Sequence, residues 1–409
     1  MSIEPPFRPR QSPASFFADL TANHVINAVV ASLFAVTGPV AIMLTVGSRG
    51  GISETDLASW IFGAFFLNGL ISFALCLYYR QPLVFLWTIP GMVLVGPALA
   101  HLSFAEVVGA YYVTGLLILV FGISGWVRRC MDVFPMPIVM GMVAGVFLQF
   151  GLDWVHAFSD EAWIAAPMTI AFFGAAAMPA IANRFPPLII ALIVGLISVA
   201  ALGKAPTADQ ISVTIAAPVF FAPAFSWQAM VELVVPLAIT VLVVQNGQGI
   251  AILSAAGHKP PINAITLVCG VWSLVVAVVG AVSTCLTGGV SGIIASDKDR
   301  AGQYTAGVIV SISVTLFGLF APLFTTVLLS TPRAFISTLA GIALLKVLQS
   351  AFTTAFQGAF SLGALVAFMV TISNLSLFNI GAPFWGLVFG FVASWVMERV
   401  DFGIAKKTG

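Results

Sequence analysis

The sequence predicts an all-α polytopic membrane protein with fourteen transmembrane segments in a seven-plus-seven inverted repeat, the third and tenth being broken half-helices. Three observations carry this. Of 409 residues, 60% are hydrophobic and only 8% charged, with a mean hydropathy of +1.08. Soluble globular chains are about 25% charged, so most of this chain must lie in lipid. Apolar segments recur along the whole length, parted by charged or Pro/Gly turns. Finally, Pro and Gly landmarks return at a nearly constant offset. A net charge of +1 gives no field for nucleic acid.

Residues 1–23 form a cytoplasmic N-terminal segment. They hold no continuous apolar core, so they are not a cleavable signal peptide. Spans follow near 24–46, 57–79, 83–100, 105–125, 134–152, 163–181 and 186–203. A second set lies near 228–253, 262–282, 283–295, 303–324, 328–346, 354–374 and 381–397. The third span contains Thr88, Ile89, Pro90 and Gly91 and then Gly96-Pro97, and each proline breaks a continuous helix. The tenth, Ser283–Ala295, reads STCLTGGVSGIIA. It is too short to cross a bilayer as a helix, which takes about 20 residues. Such glycine-broken, hydroxyl-lined backbone is tolerated at membrane depth only inside protein or along a cavity. Cys76, Cys130, Cys269 and Cys285 are scattered among apolar residues with no metal spacing, and read as small packing residues.

With both ends in the cytoplasm, Arg8, Arg10, Arg80, Arg128, Arg129, Arg184, Lys259, Lys298, Arg300, Lys346, Arg399, Lys406 and Lys407 fall inside. Only Arg49, Lys204 and Arg333 fall outside, as the positive-inside rule requires of an even number of spans. Pro39 answers to Pro236 at an offset of 197, and Pro90-Gly91 to Gly288-Gly289 at 198. Ala144-Gly145 answers to Ala340-Gly341, and Pro187 to Pro383, both at 196. Seven spans per unit is odd, so the second unit is inverted. That architecture puts a substrate site at the midplane between two broken helices. The repeats are 24–204 and 228–400.

The freed N-terminal amides of a broken helix carry about half a positive charge, and two such termini suit an anion. Candidate binding residues are therefore Thr88, Ile89, Pro90 and Gly91 with Thr287, Gly288 and Gly289. The competing reading is that the breaks only allow tight helix packing. Gln245, Asn246 and Gln248 are amides in apolar surroundings, costly unless bonded. They either donate to a carboxylate or bind neighbouring helices. Thr37 holds the matching place in the first span, where packing is the simpler reading. Candidate proton-coupling residues are Glu232, Asp153 and His24; Glu106 and Lys346 are also titratable. All five lie near span ends, where a solvated role competes. No metal or other cofactor is expected, and neither a metal pair on a helix, a nucleophile motif nor a P-loop supports an enzyme or a nucleotide-driven pump.

From about His24 to Arg399 the chain resembles the benzoate/proton symporters, the BenE family. The likeness rests on TIPG at Thr88–Gly91, QNGQG at Gln245–Gly249, LTGG at Leu286–Gly289 and the order of spans around them. More distantly it resembles the uracil and xanthine permeases and the sulfate-type anion transporters. The resemblance implies a short extended piece before each half-helix. It also implies a core domain, 24–125 plus 228–324, moving against a gate domain, 134–204 plus 328–400. Nucleobase carriers of that superfamily place carboxylates where this chain has Gln245 and Gly289. A neutral amide and a glycine do not repel a carboxylate substrate, but they also remove the obvious proton carrier. The expectation is uptake of benzoate or a related aromatic carboxylate with a proton, across a bacterial-type inner membrane. A homodimer is left open. The alternative is an inorganic-anion, bicarbonate or nucleobase carrier of the same fold.

Overall fold

The computed structural model describes residues 3–6, 13–125, 135–182, 185–205, 213–378 and 380–402. Arg8, Arg10, Arg128, Arg129, Cys130, Arg184, Lys406 and Lys407 lie outside them. The helices are α1 (Pro13–Asp19), α2 (Ala22–Arg49), α3 (Glu54–Tyr79), α4 (Ile89–Ala98), α5 (Phe104–Ser124), α6 (Met136–Ala177), α7 (Pro187–Ala201) and α8 (Trp227–Ala255). There follow α9 (Ile262–Ala277), α10 (Gly288–Ala295), α11 (Gln303–Leu319), α12 (Ala321–Leu329), α13 (Arg333–Phe356), α14 (Ser361–Ile372) and α15 (Ala382–Met397). Among the described residues, α2, α3, α5, α6, α8 and α13 are each long and apolar enough to cross a bilayer. Cys76, Cys269 and Cys285 are buried free thiols.

Two three-residue strands meet at the centre: β1 (Phe85–Trp87) precedes α4 and β2 (Thr284–Leu286) precedes α10. They pair antiparallel, Phe85 opposite Leu286 and Trp87 opposite Thr284. The amides of Thr88 and Thr287 extend the ladder to Ser283 O and Val84 O. A two-stranded ribbon leaves both outer edges unpaired, and buried unpaired backbone is costly. Helical side chains supply partners. Ser72 Oγ accepts from Phe85 N and donates to Phe85 O. On the other edge, Ser273 Oγ accepts from Thr284 N at 3.0 Å and Asn246 Oδ1 accepts from Leu286 N at 2.8 Å. The ribbon is thereby fixed from α3, α8 and α9.

Helix α6 packs along α13, α14 and α7, while α5 packs on α9 and α11 on α2 and α3. Where α2 crosses α13 the backbones nearly touch: a Cβ on Gly38 would lie 2.5 Å from that of Ala343. Small residues permit such approaches between membrane helices. Helix α8 holds two π-helical stretches, Met230–Val234 and Thr240–Asn246. The wider turn shifts side-chain register, a feature common at functional sites.

Four span boundaries differ from expectation. The stretch 153–162 holds neither Gly nor Pro, so helix runs through it and α6 breaks only at Glu161, whose φ/ψ is −149°/76°. The eleventh segment stops at Leu319, before Ala321-Pro322, and α12 leaves at 66°. The next helix runs from Arg333 to Phe356 instead of ending at 346. The last difference is the start of α14 at Ser361, after Gly358 (φ +107°) and Phe360 (φ +61°) in left-handed conformations.

Candidate functional site

A cavity of about 540 Å³ opens beside the ribbon, within the roughly 300–1,000 Å³ of small-molecule sites. Its floor is Leu86, Trp87, Ile89 and Pro90 from one strand–helix unit and Thr287, Gly288, Gly289 and Val290 from the other. Gln245 and Gln248 enter from α8, and Phe34, Met140 and Phe147 add apolar and aromatic wall. Gly288 gives Gln248 its place, since a Cβ there would lie 2.7 Å from the Gln248 carboxamide oxygen. A Cβ on Gly289 would touch the Phe34 ring at 3.0 Å. The two glycines therefore bring bare backbone up to the cavity.

The two helix N-termini are finished differently. Thr88 caps α4, its hydroxyl accepting from Gly91 N at 3.2 Å, and Pro90 has no amide to offer. Thr287 holds the same position on α10 but makes no side-chain cap. Its hydroxyl donates to Val84 O at 3.0 Å instead. Among the described residues the amides of Gly288, Gly289 and Val290 thus have no protein acceptor, as the first turn of an uncapped helix dictates. Both helix dipoles point toward the cavity region, but α10 supplies three free donors against the single Ile89 amide of α4.

Several candidate residues support the cavity without lining it. Thr88 is buried and its hydroxyl donates to Thr240 Oγ1 at 3.1 Å. Gly91 packs beneath it against Leu237 and Thr240. Asn246 is turned to the ribbon, with its oxygen on Leu286 N and its nitrogen 3.4 Å from Cys269 Sγ. Thr37 donates to Leu33 O within its own helix. These four act on backbone or on helix packing, because each finds a protein partner within reach.

A second cavity of about 630 Å³ is lined by the far ends of the same helices: Thr45 to Arg49 of α2, Val93 to Pro97 of α4 and Gly145 to Leu152 of α6. The backbone between the two cavities is tightly packed, with Val40–Leu44 buried. At this end Arg49 pairs with Asp153 at 2.7 Å, tying α2 to α6. Buried Glu232 of α8 pairs with His101 Nε2 at 2.8 Å. Its other oxygen lies against Gly381, the residue that opens α15. His24 sits at the opposite end of α2. It completes a capping box with Thr21 and lies 3.9 and 3.8 Å from Asp297 and Asp299.

The family described as BenE, benzoate membrane transport protein, matches residues 18–396. The chain belongs to the BenE family. It is 29% identical over 377 residues to the inner membrane protein YdcO of Escherichia coli (strain K12), covering 91% of this chain and 95% of that protein. It is 27% identical over 389 residues to the benzoate membrane transport protein of Acinetobacter baylyi, covering 93% and 96%. The fold is similar to the transmembrane domain of a cyanobacterium bicarbonate transporter, BicA, with a TM-score of 0.60 at 14% identity over 90% of this chain and 96% of that one. It also resembles SLC26A9, with a TM-score of 0.63 at 12% identity over 95% of this chain and 66% of that one. The protein is thus a mostly helical polytopic membrane transporter of SLC26-like fold, and not an enzyme.

Among BenE-type features, the sequence motifs located Ile89, Pro90, Gln245, Gln248, Thr287, Gly288 and Gly289 on the cavity. Sequence reasoning missed its walls, Phe34, Trp87, Met136, Met140, Val143 and Phe147, and it placed Lys346 of α13 at a span end instead of on the cavity. The signal for Lys346 was present as a lone charge in the apolar run 334–348. His101 carried no signal as the partner of Glu232, which lies 131 positions away.

Proposed function

We propose that this protein is a secondary active transporter that carries benzoate or a related aromatic carboxylate together with a proton by alternating access. The observation that carries the reading is the uncapped N-terminus of α10 opening onto an aromatic-walled cavity. Three free amides and a helix dipole suit a carboxylate. Phe34, Trp87 and Phe147 suit the ring. Membership of the BenE family and the likeness to a benzoate membrane transport protein support the substrate class.

The chain is read as fourteen segments in an inverted repeat, and the antiparallel β1–β2 pairing supports that symmetry. The core, 24–125 plus 228–324, carries the ribbon and both short helices. The gate, 134–204 plus 328–400, rocks against it. In a bacterial inner membrane with both termini cytoplasmic, the cavity beside the ribbon faces inward. The Arg49–Asp153 and His101–Glu232 contacts then close the outer side. Both latches join or abut different bundles, so both must part for outward opening. Glu232 is the proposed proton acceptor. Neutralising it weakens its hold on His101 and on the N-terminus of α15, so its protonation state is coupled to the outer latch. A proton travelling with the anion cancels its charge, so the membrane potential does not oppose entry.

The test is uptake of radiolabelled benzoate by proteoliposomes under an inward proton gradient, with bicarbonate as competitor. Accumulation above empty liposomes, abolished by a protonophore and resistant to bicarbonate, is expected. No accumulation overturns the reading, and bicarbonate displacement at comparable concentration moves it to the inorganic-anion alternative.

A further inference from the structure

We infer that Lys346 is the counter-charge of the transported carboxylate, and that it holds the anion from the bundle opposite to α10. The inference rests on the proposed reading of the cavity as a carboxylate site. Among the described residues, Lys346 is the one ionisable side chain lining that cavity. It is exposed, and among the described residues it takes part in no ion pair. It stands in mid-helix. Thirteen residues precede it in α13 and ten follow, or about 20 and 15 Å at 1.5 Å per residue. A lysine in the middle of a membrane helix is costly to insert, so it needs a compensating role.

The surroundings specify the ligand. Every other polar contribution to the cavity is a neutral amide, a hydroxyl or bare backbone: Gln245, Gln248, Thr287, Ser350, Thr354 and the Gly288–Val290 amides. Among the described residues no lining carboxylate neutralises the ammonium. The α10 N-terminus adds a second positive pole on the opposing wall. Two positive poles across an apolar gap call for an anion between them and reject a cation or an acidic ring N–H partner. The α10 amides alone do not distinguish benzoate from its amide, but the ammonium does.

The placement also has a conformational consequence. Lys346 lies one turn beyond Ala343, where α13 meets Gly38 of α2. The free amides belong to α10, across the seam. An empty cavity therefore sets like poles against each other as the bundles approach, and a bound carboxylate turns that repulsion into a bridge. Substrate charge thus favours the closure that carries it across.

The experiment compares benzoate and benzamide binding to purified protein in nanodiscs by calorimetry, for wild type, Lys346→Met, Lys346→Gln and Lys346→Arg. The Met and Gln variants are expected to lose about tenfold or more in benzoate affinity, the loss of the one charge partner in the cavity. Arg is expected to stay within a few-fold of wild type. Benzamide affinity is expected to be the same in all four. Unchanged benzoate binding in Met and Gln overturns the inference alone. So does an equal loss of benzoate and benzamide, which would make Lys346 only a wall. Retention by Arg with loss in Gln excludes misfolding as the cause. Absence of benzoate binding in the wild type overturns the carboxylate reading itself, and the inference with it.

Discussion

The unit Phe85–Ala98 and the unit Thr284–Ala295 share one plan, a three-residue strand, a threonine and a short helix, yet they end differently at that threonine. In the first, Thr88 folds back on its own helix and Pro90 removes a donor. In the second, Thr287 turns away to Val84 O, and Gly288 and Gly289 replace Ile89 and Pro90. The capping positions align Pro90 with Gly289, one residue off the Pro90–Gly288 correspondence of the landmark offset. The first helix keeps one first-turn amide, that of Ile89, without an acceptor among the described residues, and serves mainly as scaffold. The second keeps its unpaired amides for something that is not protein. A near-symmetric frame can thus hold a one-sided site, with one hydroxyl hydrogen bond deciding which side.

The sharpest way to break this comparison is Gly289→Glu. A carboxylate carried on residue 289 can satisfy the α10 amides and reach Lys346 from within, while its Cβ presses on Phe34. Benzoate binding is expected to vanish, measured by calorimetry on protein that keeps its elution profile. Wild-type affinity in this variant would remove the α10 terminus from the site. Gly289→Pro is the gentler form, because it rebuilds the first unit's chemistry in the second. Proline is tolerated in a helix's first turn and removes one amide. Hydrogen bonds to charged groups are worth about 1.5–3 kcal/mol, so benzoate affinity is expected to fall about tenfold or more with thermal stability near wild type. A variant that binds normally would show that this amide is idle.

How much of this was legible in the sequence follows from the range of each interaction. The two breaks are local events, written in TIPG and LTGG, and both land on the cavity. The QNGQG amides were legible as a group, but their division was not. Gln245 and Gln248 reach the cavity while Asn246 binds the strand, because positions three apart share a helix face and the next residue is turned about 100° away. Lys346 looked interfacial because composition alone ended its span there. The helix continues because 347–356 holds no breaker, which sets the charge deep. The aromatic walls and the His101–Glu232 pair are matters of tertiary placement, and nothing within a short window of sequence encodes them.

The smallest effects test the threonines themselves. Thr88→Val removes an N-cap and a buried bond to Thr240. Losing a cap costs about 1 kcal/mol, so the melting temperature is expected to fall by a few degrees. Thr287→Val removes only one of two bonds to Val84 O, since the Thr287 amide still donates to the same oxygen. Its melting temperature is therefore expected to fall less than that of Thr88→Val. Neither change touches the α10 amides or Lys346, so benzoate affinity is expected to stay within a few-fold of wild type in both. Thermal unfolding of the two variants side by side, with benzoate calorimetry on each, measures the asymmetry directly. Equal destabilisation would mean that Thr287 supports its helix as Thr88 does. The two units would then differ only in their glycines.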